Sequence, residues 1–167
     1  MSMTPLFHVT LPDLDDNSEE SHFAPLLFIL EGMILLNMWH IQRSLKKAMR
    51  GLGRPVPPLF ESGVRYKEDD AGREDWRDVY MILKRKRGDC DNLVAWRVAE
   101  LRVAGIAAEP VIKWRHIPYE IACKLYPPNM ISPNGLWMVH CCVRMPDGEI
   151  EDTSKLLGMG GGYSNRV

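Results

Sequence analysis

Paired cysteines are absent from this chain. Cys90, Cys123, Cys141 and Cys142 show no C-x-x-C spacing, and the adjacent pair cannot easily bridge to itself, so a secreted disulfide scaffold is excluded. An excess of charge of one sign is missing too. Lys plus Arg number 21 against 22 Asp plus Glu, which leaves no global attraction for nucleic acid or for an acidic membrane. A basic leader is lacking: Asp13, Asp15, Asp16, Glu19 and Glu20 precede the first apolar stretch, the wrong charge for a signal peptide. These absences point to a reducing, cytoplasmic compartment. The apolar stretch itself is interrupted by Glu31, Gly32 and Asn37 well short of the ~20 residues a membrane span needs. The glycine-rich end GMGGGYSNRV has neither the lysine nor the following helix of a phosphate loop, and no internal repeat is present.

What is present is ordinary globular material. The chain has 167 residues, 46% apolar and 26% charged, enough for one core and too apolar for disorder. Four segments emerge. Residues 1–22 mix prolines, acids and isolated hydrophobics without a period and read as an extended arm. Residues 23–58 hold a long helix, from Phe23 to Met49 with Pro25 in its first turn, and a linker rich in Pro and Gly. Residues 59–159 form an α+β domain, and 160–167 a flexible tail. The first half of the long helix is apolar nearly all round, with Phe28, Leu30, Ile34, Leu35, Trp39 and Ile41 spread over its circumference, so a partner chain or a second copy is expected to cover part of it.

Within the domain, Val64 to Tyr66 reads as a short extended piece. Trp76, Val79, Tyr80 and Leu83 fall at i, i+3, i+4 and i+7, which predicts a helix from about Glu74 to Arg85 with that face buried. A second helix follows Gly88, with Asp89 as its N-cap and Gly105 ending it, so Cys90 opens a helix. Beyond Gly105 the pattern turns to strands: Ala107 to Trp114, Leu136 to Met145 and, after Pro146-Asp147-Gly148, Glu149 to Asp152. The run Lys84 to Arg87 reads as a solvated helix end, and His116 as an exposed residue at a strand end.

The chemistry-bearing residues fall in a definite order. A thiol at a helix N-terminus is favoured as thiolate, which makes Cys90 a candidate nucleophile. Alternation along the strand puts His140 on a face with Met138, Cys142 and Arg144, away from the more apolar row. Register decides whether Asp152 reaches it. A three-residue loop pairs Met145 with Glu149 and sets Asp152 diagonal to His140 on one face, whereas a two-residue loop, which Asp-Gly by itself suggests, sets it on the other. Cys90, His140 and Cys142 also lack the paired spacing of a zinc site.

Val64 to Tyr66 (VRY), Glu74 to Trp76 (EDW), Gly88 to Asn92 (GDCDN), the strand bearing His140 and Glu151 to Ser154 (EDTS) together resemble the transglutaminase-like branch of the papain-type cysteine enzymes. The resemblance covers roughly Glu61 to Met159 and is nearest to bacterial transglutaminase-like cysteine peptidases and their relatives in tailed-phage and prophage gene sets. It implies a papain-like core, with the nucleophile helix packed on a small antiparallel sheet. It also implies acyl transfer through a thioester on protein or peptide carboxamides, as peptidase, amidase or transglutaminase, with no metal or organic cofactor. Cys90 would be nucleophile, His140 base and Asp152 its orienting partner. The Cys90 N–H and the Trp76 indole would meet the oxyanion, with Asp89 in support. Asn92 departs from the pattern, since close relatives carry a second acid there. The phage-borne relatives carry a second expectation, a virion structural or assembly component that keeps the fold without turnover.

Overall fold

The computed structural model describes residues 23–69, 75–126, 128, 131 and 133–159; the expected arm 1–22 and tail 160–167 lie outside them. Among the described residues the chain is a mixed α+β structure with five helices, the first of them long, and a small antiparallel sheet. The long helix, α1, runs Ala24–Met49 with Pro25 in its first turn, where a missing N–H costs nothing. It ends in a Schellman motif: Gly51, at φ 70°, donates to the Ala48 carbonyl, and Leu52 donates to that of Lys47. Its buried positions are Leu30, Ile34, Asn37, Ile41 and Ser44, spaced four and three apart, which is one stripe. That stripe packs on α3 (Cys90–Val103).

Two of the residues that interrupt the apolar run act as fasteners. Glu31 takes both arms of Arg102 on α3, at 2.7 and 2.9 Å. Asn37 Oδ1 accepts the Val79 N–H at 2.9 Å and so holds the start of α2 (Val79–Arg85). Despite them α1 keeps a mean hydropathy of 1.5 over an 18-residue window, long and apolar enough to cross a membrane by that measure, which the interruptions were expected to prevent. On the side away from α3, Phe28, Leu35 and Trp39 are 81%, 62% and 50% exposed.

The centre of the fold is α3. Asp89 caps it, and Leu93, Val94, Ala95, Trp96, Val98 and Ala99 are wholly buried, so it is covered on all sides. One cover is α1. Another is the sheet of β3 (Glu109–Ile117), β4 (Leu136–Arg144) and β5 (Ile150–Glu151), antiparallel in that order, whose Cys141 and Val143 enter the same core. The last is α5 (Thr153–Leu156). A two-residue parallel pair, β1 (Arg65–Tyr66) with β2 (Arg87–Gly88), ties the segment after the linker to the residues just ahead of Cys90.

Several expectations need correcting. Helix α2 begins at Val79, capped by Asp78, so Trp76 lies ahead of it; the buried face is Val79 with Ile82, and Tyr80 is 45% exposed. Strand β3 starts two residues later and ends three later than Ala107 to Trp114, because pairing with β4 carries it to Ile117. The stretch between those strands contains a helix, α4 (Tyr119–Leu125), which buries only Ala122 and therefore has no apolar period to announce it. His116 is not simply exposed: its Nε2 lies 2.7 Å from the Asn134 carbonyl and its ring sits against Trp137. The third strand ends at Glu151, and Asp152 is the N-cap of α5 rather than a strand residue.

Gly135, at φ 98°, immediately precedes β4 with no room for a side chain, since a Cβ would lie 2.4 Å from the Ile117 carbonyl oxygen. Gly148 has a similar φ of 90° in open space. Gly148→Ala is expected to cost about 1–2 kcal/mol for its backbone alone, and Gly135→Ala more, because the chain must also move apart. Urea midpoints should rank wild type, then Gly148→Ala, then Gly135→Ala.

Candidate active site

The site begins with a capped helix. The Asp89 side chain accepts the Asn92 N–H, so helical backbone starts at Cys90 and its sulfur sits at the positive end of α3. It then needs an open strand edge. Strand β5 pairs only with Val143 and Arg144, which leaves β4 at residues 140–142 without a strand on that side. Cys90 packs against the core that Cys141 enters, and its thiol is electrostatically coupled to Cys141 and His140.

The third element is register. Met145 and Glu149 pair through the Met145 N–H, the Gly148 N–H returns to the Met145 carbonyl, and Gly148 takes the left-handed position, so Pro146 to Gly148 is a three-residue loop. This is the alternative that sets Asp152 beside His140, with His140 Nε2 3.1 Å from Asp152 Oδ1. That bond leaves Nδ1 for the thiol. Asp152 is itself fixed, because Oδ1 also accepts the Lys155 N–H at 3.1 Å as the cap of α5. Its neighbour Glu151 takes Arg97 Nε and Nη2 at 2.7 and 3.0 Å, a bidentate clasp from the helix that carries Cys90 to the strand that leads to Asp152.

The electrostatics follow from these contacts. For Cys90 the largest influence is the Cys141 thiol, which donates to the sulfur; burial opposes ionisation, but the His140 hydrogen bond and charge add to Cys141, and the pKa falls from 9.0 to about 6. For His140 burial again opposes the charged form, yet Asp152, Cys142 and Cys90 together push the pKa up to about 12. Burial tends to raise the Asp152 carboxyl, and the hydrogen bonds from His140 and the Lys155 backbone hold it below its ordinary value. Cys141, donating to Cys90 and buried, is pushed well above the usual thiol range and stays protonated. Both shifts favour a Cys90 thiolate paired with a His140 imidazolium. His140, Cys142 and Asp152 offer ligand atoms within 4.8 Å of one another, a grouping with Asp152 in place of Cys90.

The sequence reading missed two residues here. Alternation puts Cys141 in the apolar row of β4, with only its position beside His140 to set it apart. Asn92 was noted as a departure without a use. In the fold its Oδ1 accepts the Arg77 N–H at 2.6 Å and its Nδ2 donates to the Asp75 carbonyl at 3.1 Å. These bonds bracket Trp76, holding it at the first turn of α3, where its ring packs half-buried on the core. Nδ2 also donates to the Asp89 and Asp91 carboxylates. Asp89 thus supports the site twice, as cap and as acceptor.

Only an amide fits that position, since an acid could not donate to the Asp75 carbonyl and would add charge between two carboxylates. Asn92→Asp is expected to lose about 2–3 kcal/mol of stability, seen as a lower urea midpoint, with a larger loss above pH 5 than below, where the new acid is neutral. Comparison of the chain with family models, curated proteins and solved structures returns no match, so the reading of the site rests on its geometry.

Proposed function

We propose that the chain is a cysteine-nucleophile acyl-transfer enzyme of the transglutaminase-like, papain-type kind, acting on carboxamide or peptide carbonyls in proteins or peptides. One observation carries the reading: His140 Nε2 is held by the Asp152 carboxylate at 3.1 Å, and the thiol that opens α3 is electrostatically coupled to that imidazole. The Cys90 thiolate attacks the carbonyl carbon. The oxyanion that forms meets the Cys90 backbone N–H, which lacks a helical acceptor at the first position, and the Trp76 indole N–H. The His140 imidazolium gives its proton from Nδ1 to the departing amine or ammonia, leaving a thioester. Neutral His140 then takes a proton from water or a second amine as that molecule attacks, and the thiolate leaves. Asp152 keeps the ring in one orientation and stabilises its charge throughout. Hydrolysis and transamidation share every one of these steps.

The alternative is a structural or assembly component, in which the fold is kept and α1 docks to other chains. The exposed Phe28, Leu35 and Trp39 favour it, since burying each is worth ~1.5–3 kcal/mol. The two readings separate by two measurements. Under the docking reading the purified chain self-associates, and Trp39→Glu returns it to a monomer by sedimentation without unfolding it.

Under the enzyme reading, iodoacetamide labelling of Cys90, followed at its own peptide by mass spectrometry, rises through pH 6 and not through pH 9. The sign follows from the lowered thiol pKa: thiolate is present above about 6 and lost as pH falls through it. His140→Ala should move that inflection upward by one or more pH units. Asp152→Asn, which keeps a capping side chain but removes the charge, should move it less while leaving Cys90 alkylatable and lowering turnover of any substrate found. A wild-type inflection near pH 9, unmoved by His140→Ala, would remove the catalytic assignment.

A further inference from the structure

Cys142 has no part in the acyl-transfer steps, yet it is buried on the same face of β4 as His140, two residues further on. Pairing with β3 fixes both positions, His140 opposite Lys113 and Cys142 opposite Val111. Asp152 comes to them from the cap of α5, where its Oδ1 accepts the Lys155 N–H at 3.1 Å. One ligand atom from each of the three residues lies within 4.8 Å of the other two, and His140 Nε2 is 3.1 Å from Asp152 Oδ1. A tetrahedral zinc ion holds N, O and S ligands at about 2.0–2.3 Å, which sets them roughly 3.4–3.6 Å from one another. The His140–Asp152 edge is already near that spacing, and the others reach it by side-chain rotations of about 1 Å. An imidazole, a thiolate and a carboxylate are also donor types that zinc takes, whereas calcium and magnesium take oxygen. Paired sequence spacing does not announce such a group, because its ligands come from a strand and from the cap of a helix beyond the next turn.

We propose that His140, Cys142 and Asp152 form a zinc site whose occupation withdraws the base and its orienting acid, so that the metal is a reversible inhibitor of the chain. Zinc takes the Nε2 lone pair, the Cys142 sulfur and one Asp152 oxygen, and a water molecule completes four-coordination. The Cys142 thiol proton and the His140 Nε2 proton pass to solvent. Two bonds to the metal replace the hydrogen bond between His140 and Asp152. The ring then keeps its proton at Nδ1 and, with Nε2 on the metal, has no imidazolium form from which to protonate a leaving group. Lys155 Nζ lies 3.6 Å from Asp152 Oδ2, and its half-exposed side chain can turn to water when the metal enters. Removal of zinc by a chelator restores the hydrogen bond, because the ligands stand on β4 and on the α5 cap whether or not the metal is there.

That the metal silences acyl transfer rests on the enzyme reading above; that it binds rests on the grouping of the three ligands alone. The test titrates the reduced full chain with zinc chloride by calorimetry, and with cobalt chloride, whose sulfur-to-metal charge-transfer band reports a thiolate ligand. One ion per chain is expected, with the cobalt band present and with the His140 signals displaced in nuclear magnetic resonance spectra of protein labelled at its histidine ring nitrogens. The band persists in Cys90→Ser and Cys123→Ser and is lost in Cys142→Ser. Changes behind the ligands weaken metal sites by about 10–100-fold, so loss of the Cys142 sulfur itself should weaken zinc by roughly 100-fold or more. Failure to bind zinc, a cobalt band that vanishes in Cys90→Ser or Cys123→Ser, or His140 signals unmoved in the zinc-loaded chain overturns the proposal. The spectra of the unaltered chain decide the matter even if Cys142→Ser misfolds. Zinc binding at these ligands together with a Cys90 alkylation inflection near pH 9 would sustain this site while removing the catalytic one, and an inflection near pH 6 without zinc binding would do the reverse.

Discussion

Helix α3 buries apolar side chains around most of its circumference, and the fold is the set of elements required to cover it. A helix with one apolar stripe can lie at a surface, but Leu93, Val94, Ala95, Trp96, Val98 and Ala99 are all wholly buried, while Arg97, Glu100 and Arg102 reach its partly exposed margin. Hence α1 lies along it, the face of the sheet bearing Cys141 and Val143 lies under it, and α5 closes its flank. Polar fasteners then fix directions that apolar contact leaves loose. Arg102 with Glu31 sets α1 against α3, and Arg97 with Glu151 sets α3 against the end of the sheet. The consequence for chemistry is positional. Once α3 is seated, its N-terminus can meet only the stretch of β4 that β5 leaves uncovered, and Cys90 arrives beside His140 and Cys141.

A charged pair in such a place needs compensation from both ends. Burial works against the ionised forms of Cys90, His140 and Asp152, and in each the hydrogen bonds and opposite charge of its neighbours shift the balance toward the ionised form. The chain of contacts runs from the Cys141 thiol through the Cys90 sulfur and the imidazole to the Asp152 carboxylate, which the α5 cap holds in turn. Removing a member leaves a partly buried charge without its partner, which is why the members act as a unit.

The first turn of α3 shows how much one amide can organise. Asn92 joins the cap residue Asp89 to the backbone on either side of Trp76, so the helix start, Cys90 and the Trp76 segment are tied together. Arg77 locks the same segment from outside through Asp69 and Asp75, at 2.7 and 2.8 Å. An acid in place of Asn92 would need a different arrangement of this loop, since one donor would vanish and a third carboxylate would appear.

Features written in local pattern were legible in the amino-acid sequence. Helix α1 and helix α3 announce themselves by apolar period, by Pro25, Asp89, Gly51 and Gly105, and β3 and β4 by alternation; the order Cys90, His140, Asp152 could be read as a candidate set because each sits where a local rule puts it. Elements that owe their existence to contacts were not legible. The parallel pair β1 and β2 has two residues a side, α4 buries a single alanine, and α5 forms because Asp152 caps it, so none carries a period. Local composition also misled: Trp76, Val79, Tyr80 and Leu83 have helical spacing, but the Asn92 bonds hold the Asp75–Arg77 backbone and the helix starts only at Val79. Asp-Gly suited a two-residue turn, and the choice of three was made by the need to pair Val143 with Glu151 while Arg97 holds Glu151. The sequence by itself determined which residues can ionise, cap or pack, because those are properties of side chains and their near neighbours. Only the tertiary structure decided that His140 Nε2 meets Asp152 Oδ1, because that depends on the three-residue loop and on the pairing of Val143 with Glu151, contacts between strands that local pattern does not fix.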